Sequence, residues 1–140
     1  MYQRVGQYPG ALKPLIDAIV YPANVSGEGY RTIHDGWVQS VYEPYLKEWL
    51  PGQWVRCFLS IIWHNGFIEP HVDTDMQEGT NRVHVVFQTN PYCWYLHDQQ
   101  WQQLEAGGIY TIDPSKPHAS INWGHQERIH FVLDRLTILS

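Results

Sequence analysis

The chain has 140 residues, of which 44% are hydrophobic and 16% are charged, a balance that excludes a disordered polymer and is typical of a globular domain. The formal net charge is −5, with nine lysines and arginines and no basic run, which excludes a nucleic-acid backbone as the main partner. No stretch approaches about 18 consecutive apolar residues, and the N-terminus lacks the apolar core of a signal peptide. We therefore expect one cytoplasmic domain over residues 1–140 that does not enter a membrane.

The two cysteines, Cys57 and Cys93, lie in no CxxC pair, which argues against a thiolate zinc site. One possible disulfide is not the framework of a disulfide-rich secreted domain, so we expect two buried thiols in a reducing compartment. A single bridge between them stays open as the alternative.

Residues 1–50 are predicted to be mainly helical. "ALKPLIDAIV" suits a short helix that begins, or is interrupted, at Pro14. Downstream, apolar residues recur every four positions, which predicts a helix packed on a sheet, although Gly36 and Pro44 weaken or split it. The members of this stripe are Ile33, Trp37, Val41, Tyr45 and Trp49.

Residues 53–140 have a different pattern, in which short runs rich in Val, Ile, Trp, Tyr and Phe alternate with turn signals such as "HNG" and "DPSKP". About eight strands at this spacing indicate a mainly β sandwich or barrel, and no βαβ rhythm, GxGxxG or P-loop motif is present. The predicted strands cover residues 53–63, 67–72, 82–89, 93–98, 100–105, 108–113, 118–123 and 127–134.

The stretch "PHVDTD" places His71 and Asp73 two positions apart, so both side chains would point to one face of a strand and could bind one ion. The pair is a weak signal alone, and "HQE" at residues 125–127 is a rival in a predicted turn. His118 is the candidate third ligand, because it opens a predicted strand that a sandwich can bring beside the first pair. Two histidines and a carboxylate form the facial triad of non-haem Fe(II), with three positions open, although zinc accepts the same ligands.

Two arginines lie where an anionic ligand would be needed. Arg128 follows the distal histidine by ten residues and offers the planar group that holds a carboxylate by two hydrogen bonds. It shares a strand face with His130, as Arg82 does with His84. Buried arginines require anionic partners, which an organic-acid cosubstrate would provide. For Arg128 the alternative is a structural ion pair with a carboxylate such as Asp134.

Residues 60–134 resemble the aspartyl/asparaginyl β-hydroxylase family of Fe(II)- and 2-oxoglutarate-dependent oxygenases, and also the bacterial proline hydroxylases. The resemblance is carried by "SIIWHNGFIEPHVD", "NRVHVVF" and "DPSKPHASINWGHQERIHFVLD", whose spacings agree together. It implies a double-stranded β-helix, the cupin-like jelly roll, over residues 53–140, with N-terminal helices packed on one sheet. The chain lacks the helical repeats that precede the catalytic domain in the animal enzymes, which favours a small molecule or short peptide as substrate.

The resemblance also implies a role for each matching residue. The implied metal ligands and catalytic residues are His71, Asp73 and His118. The implied cosubstrate residues are Arg128 and Ser60, which would hold the distal carboxylate of 2-oxoglutarate, and Arg82 and His84, which would line the pocket.

The implied reaction is hydroxylation of a C–H bond in an amino-acid-like or peptidyl Asp/Asn-type substrate. It would use Fe(II), 2-oxoglutarate and O₂ and release succinate and CO₂. A carboxylate at Asp73 disfavours halogenation, because halogenases of this type leave that position to a halide. Two alternatives stay open: a cupin-like metal enzyme that does not use 2-oxoglutarate, and a non-catalytic ligand-binding jelly roll. The sequence does not indicate an oligomeric state.

Overall fold

The computed structural model describes residues 3–23, 27 and 29–136, which form ten strands and two helices. The first four elements are β1 (Gln3–Gln7), α1 (Lys13–Asp17), β2 (Tyr30–Ile33) and α2 (Gly36–Leu46). The strands that follow are β3 (Gln53–Ile62), β4 (Gly66–His71), β5 (Thr80–Gln88), β6 (Cys93–His97), β7 (Gln100–Gln102), β8 (Gly108–Ile112), β9 (His118–Asn122) and β10 (Arg128–Leu136).

The strands form two antiparallel sheets that face each other as a jelly roll. The large sheet has the order β1-β8-β5-β10-β3-β2 and the small sheet the order β4-β9-β6-β7. A cavity between them takes side chains from both sheets. The mainly β, jelly-roll architecture expected from the sequence is confirmed.

The eight predicted strands are all present, with ends displaced by no more than about three residues, as is usual for terminal assignments. The helical description of residues 1–50 is incomplete, because this segment also contributes β1 and β2. These two strands are the outer edges of the large sheet, and most of their residues are exposed. Edge strands are short and polar, so they lack the apolar alternation that marks the inner strands.

Both helices pack on the large sheet, as expected. α1 contacts β5 and α2 contacts β3, and their apolar side chains form one core with the outer face of that sheet. Tyr42 lies at the centre of this core, with its ring 5.5 Å from Phe131 and 5.2 Å from Phe87. Its hydroxyl donates to the carbonyl of Leu15 at 2.7 Å, which joins the two helices.

The predicted apolar stripe is only partly right, because Trp37 and Val41 are half-buried against the core but Ile33 lies in β2. α2 buries Val38, Tyr42 and Leu46, whereas Tyr45 and Trp49 are exposed. A step of four residues overshoots one helical turn by about 40°, so a long stripe at that spacing winds around the helix instead of following one face. α2 is continuous through Pro44, which lies in its last turn.

The structure also bears on what the sequence indicates about the cysteines and about membrane-spanning segments. Cys57 and Cys93 are both buried and free, as predicted. Across residues 3–23, 27 and 29–136, no helix combines the length and apolarity that a bilayer crossing needs.

Candidate metal centre

His71 and His118 are brought side by side by the pairing of β4 with β9, where they are direct partners. The register shifts between Ile68 and His71, so that three residues of β4 span two residues of β9. Pro70 lies in this bulge, where its missing N–H breaks the ladder. The extra residue turns His71 to the face that Ile68 already occupies, and both side chains line the cavity between the sheets.

The two imidazoles are oriented by their own backbone. Nδ1 of His71 lies 2.8 Å from the carbonyl of Glu69, and Nδ1 of His118 lies 2.8 Å from the carbonyl of Lys116. A carbonyl oxygen only accepts, so each Nδ1 carries the proton and donates it. Each Nε2 therefore presents its lone pair to the cavity, which is the state and orientation that metal-binding histidines adopt.

Asp73 lies between the two imidazoles. Its Oδ1 is 3.5 Å from Nε2 of His71, and its Oδ2 is 3.2 Å from Nε2 of His118. The sequence predicts this juxtaposition from alternation along one strand, but β4 ends at His71. Asp73 is instead held in the following segment, where its backbone N–H donates to the carbonyl of Pro114 at 2.8 Å.

The three side chains fit a divalent cation. One potential ligand atom from each of His71, Asp73 and His118 can be chosen so that all three lie within 4.8 Å of one another. Neighbouring ligands about 2.1 Å from one ion are separated by about 3 Å, close to the observed separations. The lone pairs of the two imidazoles repel the carboxylate of Asp73 unless a positive charge lies between them. One cation provides that charge for all three groups, whereas protonation would create two adjacent imidazolium ions.

Arg82 holds Asp73 in place. Its Nη1 donates to Oδ2 of Asp73 at 2.7 Å, while its Nε and Nη2 donate to the two oxygens of Asp134 at 2.8 and 2.9 Å. Burial alone would lower the pKa of Arg82, but the hydrogen bonds and charge of Asp134, with the charge of Asp73, raise it. Arg82 lines the cavity, and its guanidinium is engaged by two protein carboxylates.

A cavity of about 280 Å³ extends from the three ligand candidates, at the small end of the range for small-molecule sites. Its wall changes in character from the core to the surface. The buried wall residues include Ser60, His84, Tyr95 and Arg128. The wall residues nearer solvent include Thr32, His34, Arg56 and Asp75.

Arg128 is a buried cation for which no carboxylate partner is found among the described residues. Only 4% of it is exposed, its Nη2 donates to the Ser60 hydroxyl at 2.7 Å, and its Nε has no hydrogen-bond acceptor. Burial lowers the pKa of Arg128 to about 10. The alternative of a structural ion pair with Asp134 is wrong, because that carboxylate is bound by Arg82 and by Arg56 at 3.2 Å. A buried guanidinium left in this state requires an anion from outside the chain.

Tyr95 is a polar cavity residue that sequence reasoning missed. Its ring is buried, and its hydroxyl has no hydrogen-bond partner. It stands opposite Ser120 in the pairing of β6 with β9, on the face toward the cavity. The signal was available: alternation in "CWYLHD" places Tyr95 and Trp94 on opposite faces, and the tyrosine is the one with a polar group to satisfy.

His84 and His130 form a buried pair beside these groups. Their Nδ1 atoms lie 3.0 Å apart, so one donates and the other accepts. Burial, followed by the positive charge of Arg128, holds the pKa of each imidazole well below its ordinary value. Both are therefore neutral at neutral pH. His84 also lines the cavity.

Comparisons with known proteins agree with this architecture. L-proline cis-4-hydroxylase of Rhizobium meliloti (strain 1021) is 27% identical over 74 residues, which are 52% of this chain and 26% of that enzyme. The chain thus spans about a quarter of the length of this curated relative.

The chain also resembles solved structures of low sequence identity, two of which are oxygenases. Viral collagen prolyl hydroxylase from Paramecium bursaria Chlorella virus-1, solved with 2-oxoglutarate, superposes with a TM-score of 0.63 at 12% identity, covering 98% of this chain and 96% of that one. Salicylate 1,2-dioxygenase from Pseudoaminobacter salicylatoxidans gives a TM-score of 0.54 at 15% identity, covering 89% and 30%. Likeness at this identity shows the fold.

The model of the family described as aspartyl/asparaginyl β-hydroxylase matches residues 45–137, about two thirds of the chain. The match includes the candidate ligands at positions 71, 73 and 118 and the buried arginine at position 128. The chain belongs to the aspartyl/asparaginyl β-hydroxylase family.

Proposed function

We propose that the protein is an Fe(II)- and 2-oxoglutarate-dependent dioxygenase that hydroxylates a C–H bond of a small amino-acid-like or peptidyl Asp/Asn-type substrate. The observation that carries the proposal is the buried guanidinium of Arg128, with its Nε unpaired, in the wall of the same cavity as the His71, Asp73 and His118 cluster. A metal site alone would fit many cupin-like proteins. A metal site beside a buried cation without a counter-ion fits a ligand that both chelates metal and carries a second carboxylate.

2-Oxoglutarate has both features. Its distal carboxylate would accept hydrogen bonds from Arg128, from the Tyr95 hydroxyl and from Ser60, which together offer the unpaired donors at the buried end. Its oxo acid end would then extend toward the metal ligands. A charged hydrogen bond to a carboxylate in a dry pocket is among the stronger polar interactions available to a protein.

Bound iron would supply oxidation of the C–H bond by O₂, with 2-oxoglutarate giving succinate and CO₂. The chain's own residues would bind the metal and the cosubstrate and set their orientation. Arg82 fixes the Asp73 carboxylate, the backbone carbonyls at positions 69 and 116 fix the two imidazole rings, and Arg128 fixes the cosubstrate. Neutral His84 and His130 form part of the buried environment, which keeps this end of the cavity dry.

The substrate would enter at the open end of the cavity. Arg56 and Asp75 lie there, paired at 3.3 Å, and the Arg56 guanidinium lies over the ring of Phe58. Groups of both charges suit an amino-acid-like molecule or a short peptide. Similarity to a relative named as a proline hydroxylase supports the same substrate class.

Succinate formation tests the proposal. The protein with Fe(II), 2-oxoglutarate and O₂ is screened against free amino acids and short Asp- or Asn-containing peptides, together with His118→Ala and a control, His125→Ala. His125 is an exposed histidine of the rival "HQE" motif. We expect substrate-dependent succinate from the wild type and from the control, and none from His118→Ala. Equal succinate from all three proteins would defeat the proposal.

An anaerobic titration separates the alternatives. Addition of 2-oxoglutarate to the Fe(II) protein should produce a weak visible charge-transfer band. Iron binding without that band would favour a cupin-like enzyme that does not use 2-oxoglutarate. A band without succinate formation across the substrate panel would favour a binding module.

A further inference from the structure

The outer face of the small sheet is aromatic where a solvated sheet is normally polar. Phe67, Ile121 and Trp94 are in register across β4, β9 and β6. Trp101 on β7 and Trp123, just after β9, complete what we name the tryptophan face. In an antiparallel sheet with one face in water, residues alternate along each strand. Polar side chains face the water and apolar side chains face the core.

The tryptophan face is exposed. The accessible fractions are 42% for Phe67, 38% for Trp94, 51% for Trp101 and 59% for Trp123. Fully exposed aromatic side chains present about 150–250 Å² each, so these four leave roughly 450 Å² of contiguous aromatic surface in water. Patches of this size on a monomer are as large as the largest usually found, and they mark interaction sites.

No element within residues 3–23, 27 and 29–136 covers this face. Both helices pack on the large sheet, on the other side of the molecule. The inward residues of the same strands, including Ile68, Tyr95 and Ser120, line the cavity between the sheets. A partner on the tryptophan face would therefore leave the cavity open.

We propose that the tryptophan face is the interface of a symmetric dimer of this chain. A two-fold interface buries the same patch on both copies. Two copies that covered these four aromatic side chains completely would bury roughly 900 Å², the size of a weak, reversible interface below the ~1,200 Å² of standard ones. None of the five residues is charged, so identical copies meet there without opposing like charges, although each carries a net charge of −5.

The chemistry of the groove favours a protein surface over a sugar. A groove of about 460 Å³ is lined by Trp94, Trp101, Ile121 and Trp123. Sugar recognition needs hydrogen-bonding side chains around the stacking rings, and this lining offers only indole N–H groups. A second copy presents the same apolar surface and the same indoles, and tryptophan is enriched in buried interface centres.

Sedimentation equilibrium of the metal-free protein over a wide concentration range tests the proposal independently of catalysis. The variant is Trp101→Glu/Trp123→Glu, and the matched control is Trp49→Glu. Trp49 is 42% exposed and lies beyond α2, away from the small sheet. We expect the wild type and Trp49→Glu to sediment as dimers and the double variant as a folded monomer, with folding checked by circular dichroism.

Three results would overturn the assignment. In the first, the wild type stays monomeric at the highest concentration. In the second, the double variant stays dimeric. In the third, the wild type is monomeric and is retained by an insoluble polysaccharide, which would make the face a sugar site. If the double variant does not fold, Trp123→Gln is measured instead, since it changes one turn residue without adding charge. We expect Trp123→Gln to weaken the dimer at least tenfold, and an unchanged dissociation constant would count against the interface.

Discussion

Arg82 donates a 2.7 Å hydrogen bond to Asp73, the carboxylate that lies between the two cavity histidines. The same guanidinium holds Asp134 by two further bonds, so the position of Asp73 is tied to the buried end of β10. We therefore expect Arg82 to act on a bound metal through Asp73. The cosubstrate role that the family resemblance implies for Arg82 stays a prediction.

Replacement of Arg82 by lysine should weaken metal binding by about 10–100-fold, the usual effect of losing a group that orients a ligand. Lysine keeps the charge but cannot bridge two carboxylates with a planar set of donors. The measurement is a titration with Co(II) followed by its visible spectrum. Arg56→Lys is the matched control, because Arg56 contacts Asp134 and Asp75 but has no described bond to Asp73. Equal affinities in the two variants would show that Arg82 does not position the ligand.

Replacement of Arg128 by methionine should abolish 2-oxoglutarate binding and at the same time stabilise the ligand-free protein. The buried Nε has no acceptor, and an unsatisfied buried polar group costs about 1–3 kcal/mol. We expect a gain of that size in the free energy of unfolding, measured with urea in the absence of metal. A large loss of stability would indicate that Arg128 is paired within the folded protein and does not depend on a bound ligand for its counter-charge.

Tyr95→Phe should reduce 2-oxoglutarate affinity about tenfold with little change in the stability of the free protein, because the hydroxyl that is removed has no partner. Tyr42→Phe is the matched control. Its hydroxyl is also buried but is bonded to Leu15, so the control should lose about 1 kcal/mol of stability and keep its affinity. Isothermal titration with 2-oxoglutarate and urea unfolding measure the two effects. If both variants keep wild-type affinity, Tyr95 is not a cosubstrate residue.

The buried pair His84 and His130 should make the metal-free protein sensitive to acid. Each imidazole has a pKa well below 6.5 in the folded state, so below pH 6.5 the unfolded chain binds protons that the folded one does not. Stability is then complete at higher pH and falls as the pH drops. Between about pH 7.5 and 5.5 the loss is about 1.4 kcal/mol for each histidine.

The double variant His84→Leu/His130→Leu should flatten this dependence. Urea unfolding at the two pH values gives the difference directly. A wild type and a double variant with the same pH slope would show that these histidines are charged, or accessible to protons, in the folded state.

The strands of the jelly roll were predictable because buried strands carry dense β-branched and aromatic residues between clear turns. The edge strands β1 and β2 were not, since "QRVGQ" is short and polar, and Ile33 of "YRTI" fits the helical spacing of the residues that follow it. The buried face of α2 was misplaced, since apolar residues also lie on its exposed side.

The candidate site residues follow from motif spacing and from the family resemblance, but the contacts among them are visible only in the structure. The sequence does not reveal the bulge at Pro70 that turns His71 inward. It also does not reveal that Asp134 pairs with Arg82 and not with Arg128. Those facts depend on register and on competition among several charged groups. Alternation in β6 was enough to place Tyr95 on the inner face, but only the structure shows that its hydroxyl has no hydrogen-bond partner.

The most direct measurement is anomalous diffraction at the iron edge from crystals grown without oxygen in Fe(II) and 2-oxoglutarate. We expect one iron peak bound by Nε2 of His71, Nε2 of His118 and one oxygen of Asp73, with a 2-oxoglutarate carboxylate on Arg128. Iron bound elsewhere, or 2-oxoglutarate absent from Arg128 while the metal is in place, would contradict the proposed site.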